Sequence, residues 1–142
     1  MEEPTGEQGD RFPLGPVYIV LFLLGAALGI WGAFLVPLRL PGGIEGLADV
    51  IAVVGNVGVG VLAAKGTGTV PAAAMPGVGW LLAVLFVLMV ARPGDEVIIP
   101  GKLGSDPGIA TVGSIFMFGG ALGAVAAVLL ANRQLQRDSA KV

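Results

Sequence analysis

Hydrophobic positions along this chain fall into four long runs, separated by stretches richer in glycine, proline and charge. Val17 to Val36 is free of charged residues, and at about 1.5 Å per residue it matches the roughly 30 Å hydrocarbon core of a bilayer. Pro16 suits a first helical turn and Pro37 the far end. Val78 to Ala91 is strongly apolar but short, so that run borrows from Ala72 to Gly77, with Pro76 in the first turn or at a kink. The last run opens on Asp106-Pro107, a helix cap followed by proline at the first helical position. The pattern predicts helical spans at 17–37, 44–64, 72–91 and 107–131 in one transmembrane domain over 14–131. Residues 1–13 read as a flexible polar tail and 132–142 as a basic one.

The fold class expected is all-α, an integral membrane four-helix bundle with both termini in the cytoplasm. Flanking cations set that orientation: Arg11, Lys65, Arg133, Arg137 and Lys141 would lie inside, against Arg39, Arg92 and Lys102 outside. No basic start followed by a small-residue cleavage site marks a signal peptide, so the first span is expected to be retained. Glu45, Asp95, Glu96 and Asp106 then gather at or near the outer surface, with Asp49 just beneath it.

The second run is the polar one. On a helix turning about 100° per residue, Glu45, Asp49, Ala52 and Asn56 fall within an arc of about 60°, and Gly60 continues that side. The series Ala48, Ala52, Asn56, Gly60, Ala64 makes one face small and polar, which suits close contact with another helix. Gly25, Gly29 and Ala33 repeat the pattern in the first span, and Gly119, Gly123, Ala127 and Ala131 in the last. These stripes serve either the bundle itself or a second protomer. Asp49 and Glu45 are shallow enough to reach the interface, toward Arg39 or Arg92, or else they form a cation- or proton-binding site with Asn56 as a deeper ligand. Asn56 also suits interhelical hydrogen bonding. Trp31, Trp80 and Tyr18 are placed as interfacial anchors.

Composition narrows the chemistry. Hydrophobic residues make up 55% of the 142 and charged ones 13%, against about 25% charged in ordinary soluble domains. The 24 glycines lie inside apolar runs without a collagen period. A net charge of −2 with no basic cluster gives no support for binding nucleic acid. With neither cysteine nor histidine, the chain has no thiolate nucleophile, no Cys/His zinc site and no Ser-His relay. The glycine-rich string Gly55 to Gly60 follows no strand and is not a phosphate loop. No catalytic residue, metal site or cofactor is expected; the partners expected are the lipid bilayer and a second copy or another membrane protein.

The segment Arg92-Pro-Gly-Asp-Glu-Val-Ile-Ile-Pro-Gly101 brackets three β-branched residues between Pro-Gly turns. It either folds back on the helix ends or offers an edge to a partner. Together with Gly79-Trp80-Leu81-Leu82 it resembles a family of small, uncharacterised four-span integral membrane proteins of actinobacteria, over roughly Pro13 to Ala131. That resemblance implies a four-span topology and a plasma-membrane location, and no active site. The size also invites comparison with small multidrug exporters, but the first span here has no glutamate and the acidic residue sits at the edge of the second.

Overall fold

The computed structural model describes residues 13–36, 46–90 and 107–140, with the side chains of 107–110 excepted. They form four helices: α1 Leu14–Leu35, α2 Leu47–Thr67, α3 Val70–Val90 and α4 Pro107–Ser139. Each contains a stretch long and apolar enough to cross a membrane. The first three have 21 or 22 residues, close to one bilayer core, whereas the 33 of α4 reach about 50 Å. The expected stop at Ala131 is therefore not a helix end: the polar segment from Asn132 continues α4 to Ser139. Gln136 and Arg137 are good helix formers, and nothing before Ser139 breaks the hydrogen-bond ladder.

Glycine sets the bounds of α2. Gly46 precedes it at φ 91° and Gly68 closes it at φ 69°, donating its N–H to the Ala64 carbonyl at 2.8 Å. Both conformations suit a residue without Cβ. The helix thus begins three residues later than its apolar run suggests and runs on past Ala64. Only Gly68 and Thr69 separate α2 from α3. Pro76 lies in the second turn of α3 with helix on both sides. Having no N–H, it cannot bond the Ala72 carbonyl.

Chain direction alternates, so α1 runs parallel to α3 and α2 parallel to α4, and these non-sequential pairs make the broadest contacts. Around the bundle the order is α1, α3, α4, α2; α2 and α3 also meet across the short diagonal, whereas the main chains of α1 and α4 stay apart. The interior is small: Ala33, Ala48, Ala52, Ala72, Ala73, Ala127 and Ala131 are buried, together with Trp80, Phe116 and Val84. Large residues such as Leu23, Phe34, Val54, Leu62, Met89 and Phe118 point outward. This distribution reverses that of a soluble protein and fits helices whose outer solvent is hydrocarbon.

Candidate functional site

The inner face of α2 carries the residues singled out by the sequence. Ala48, Ala52, Asn56, Gly60 and Ala64 are all buried, as their four-residue spacing requires if that face meets other helices. Asn56 is 2% exposed. Its Nδ2 donates to the Ala52 carbonyl in its own helix at 2.9 Å and to the Gly120 carbonyl of α4 at 3.4 Å. Its Oδ1 is buried with no hydrogen-bond partner among the described residues. Asp49, seven residues earlier and so about 10 Å nearer the start of α2, is half-buried, and its Oδ1 likewise has no partner among the described residues. Glu45, Arg39 and Arg92 lie outside the described residues, as does the loop from Arg92 to Gly101.

The glycines proposed for helix packing are contact points within this chain. A Cβ on Gly25 would overlap the Pro76 carbonyl, and one on Gly29 would stand 2.9 Å from the carbonyl oxygen of Trp80. On Gly60 it would fall 2.6 Å from the Ala127 Cβ and 2.8 Å from the Ala73 carbonyl oxygen. Gly119 and Gly123 both receive Val53, with approaches of 3.1 and 3.0 Å. The stripes thus serve mainly an α1–α3 seam and an α2–α4 seam, with Gly60 also touching α3.

Trp80 is not an interfacial anchor. It lies mid-helix and 1% exposed, its ring 5.3 Å from that of Phe116, whereas Trp31 is 71% exposed. A span of 72–91 already puts Trp80 near its middle; what removes it from the interface is its burial against Phe116 and Gly120, which hydropathy along the chain does not register. Gly120 admits its indole edge, in space that any side chain on Gly120 would occupy. The indole Nε1 is buried and unpartnered among the described residues. Gly32 against Phe116, Gly77 against Ala124 and Gly79 against the Phe22 carbonyl are further close approaches that the sequence did not single out. Gly77 and Gly79 are two apart and face different helices, so no four-residue stripe marks them.

At the opposite end, Tyr18 and Thr69 share a hydrogen bond of 3.1 Å, and Thr69 pairs with Thr67 at 3.0 Å. Thr67 in turn donates to the Ala63 carbonyl at 2.8 Å. This chain ties the start of α1 to the short α2–α3 connection. Among the described residues, no three acidic side chains come together to hold a metal ion. On its outer side the bundle carries an open apolar groove of about 260 Å³ between α3 and α4, bordered by Ala74, Val78 and Leu81 on one side and Ala121, Val125 and Val128 on the other. No protein-family model, curated protein or solved structure matches the chain.

Proposed function

We propose that this multi-pass protein is a small accessory or scaffold protein of the plasma membrane, with both termini cytoplasmic, associating with another membrane protein or a second copy rather than catalysing a reaction. The observation that carries this reading is the closure of the bundle centre by direct contact. Gly25 on Pro76, Gly29 on Trp80 and Gly60 on Ala73 and Ala127 bring helices into direct contact where a permeation path among the described residues would have to run. The Gly/Ala faces are used internally, so a partner helix meets the outer surface, where the α3–α4 groove offers a recess of helix-packing character. Five flanking cations inside against three outside support the orientation. The four-span architecture is in keeping with kinship to the small actinobacterial membrane proteins that the Arg92 loop and Gly79-Trp80 resemble.

Affinity recovery of the tagged protein from native membranes in mild detergent, with and without Ala121→Leu, tests the proposal. A stoichiometric membrane partner or second copy, displaced by the substitution while helix content is unchanged, is the expected result. Recovery of a lone protomer from both forms removes it.

A second reading, a minimal cation- or proton-coupled transporter or channel subunit using Asp49 and Asn56, is favoured by one observation: each side chain has a buried oxygen with no partner among the described residues. Under that reading Asp49→Asn abolishes flux in reconstituted vesicles; under the accessory reading it leaves association unchanged.

A further inference from the structure

We infer that an ordered water molecule sits at the centre of the bundle, accepting a hydrogen bond from Nε1 of Trp80 and donating one to Oδ1 of Asn56. The two side chains come from different helices, α3 and α2, and both border the same residue of α4. Asn56 Nδ2 donates to the Gly120 carbonyl at 3.4 Å, and the indole edge occupies the space beside the Gly120 Cα. They are 2% and 1% exposed, so bulk solvent reaches neither. Trp80 has one donor and no acceptor, and Asn56 has both. What is left over is therefore complementary, one N–H from the indole and one carbonyl oxygen from the amide.

Turning the Asn56 amide over does not resolve this, because it would point Oδ1 at the Ala52 and Gly120 carbonyl oxygens that now accept from Nδ2. An unpaired N–H and an unpaired C=O are costly in an interior surrounded by hydrocarbon, and native structures resolve such pairs with internal water making two to four hydrogen bonds. Neither atom pairs directly with the other, and a single water has the donor and the acceptor that both need. The glycine at 120 matters to this arrangement because a side chain there would take the space the indole edge occupies. The centre of the bundle is then a hydrated polar joint of α2, α3 and α4 inside an otherwise alanine-lined core.

The test is ¹⁵N NMR of the full chain in lipid nanodiscs, carrying Trp31→Phe so that one indole remains. Magnetisation transfer from water should give a cross-peak at the Trp80 indole proton and another at the Asn56 side-chain amide protons. In Asn56→Leu the indole cross-peak should disappear and its nitrogen resonance should shift. A dispersed Trp80 indole signal with no water cross-peak, or a cross-peak at the indole and none at the Asn56 amide, overturns the inference. Those two readouts need only the wild-type Asn56, so they decide it even if the leucine variant does not fold.

Discussion

The two parallel seams of this bundle are built from the same glycine-rich material and differ in what that material does. Along α1–α3, glycine brings backbone onto backbone: Gly25 on the Pro76 carbonyl, Gly79 on the Phe22 carbonyl and Gly29 on that of Trp80. Pro76 and Gly25 meet one turn from the Ala72 carbonyl, which has no helical donor at Pro76. Along α2–α4 the contacts are mixed: the Val53 side chain meets Gly119, the Val53 main chain approaches Gly123, the Ala127 methyl meets Gly60, and a polar side chain, Asn56, crosses to Gly120. Small residues in a membrane protein are thus not one device. They serve main-chain contact in one seam, and in the other they also make room for side chains, one of them polar.

Substitutions at the glycines are the strongest way to break that distinction. Gly25→Ala sets a methyl group against main chain that cannot move without shifting α3, and should cost about 3 kcal/mol or more. Gly123→Ala also faces main chain, the Val53 carbonyl oxygen, but at 3.0 Å, an approach a small shift of α2 relieves, and should cost about 1 kcal/mol. Loss of helical signal on titration with a denaturing detergent measures both. Equal losses would mean that the two seams are held in the same way.

Asn56→Leu probes the polar half of the comparison. It removes one interhelical hydrogen bond and should destabilise by about 0.6 to 2 kcal/mol, read in the same titration. An unchanged midpoint would show that the α2–α4 seam is held by packing alone, like its counterpart. The smallest effect is expected at the bundle end, where Tyr18→Phe deletes the hydroxyl that meets Thr69. About 0.5 to 1 kcal/mol is expected there, with faster amide hydrogen exchange confined to the first turn of α1 and the residues around Gly68. Exchange spreading into the α1–α3 seam would tie that end to the close-packed centre.

Much of the architecture was legible in the residues. Uninterrupted apolar length over 17–36 and 78–91 implied membrane-spanning helices, because a backbone in hydrocarbon must satisfy its own hydrogen bonds. The four-residue spacing of Ala48, Ala52, Asn56, Gly60 and Ala64 specified which face of α2 is inside, because that spacing keeps side chains on one side of a helix. Helix ends were read less well. Gly46 and Gly68 act through backbone conformations that hydropathy does not register, and Asn132 onward is polar yet helical.

What only the tertiary structure decided is partnership. Spacing assigns a residue to a face and leaves open which helix covers it, since Gly and Ala stripes are nearly interchangeable in composition and lipid provides little preference among them. The pairing of parallel helices, the engagement of Gly25, Gly29, Gly60, Gly119 and Gly123 within one chain, and the burial of Trp80 against Gly120 and Phe116 all depend on relative helix shifts of a few ångströms. Those shifts are set by the simultaneous fit of four helices, and no single stretch of sequence contains them.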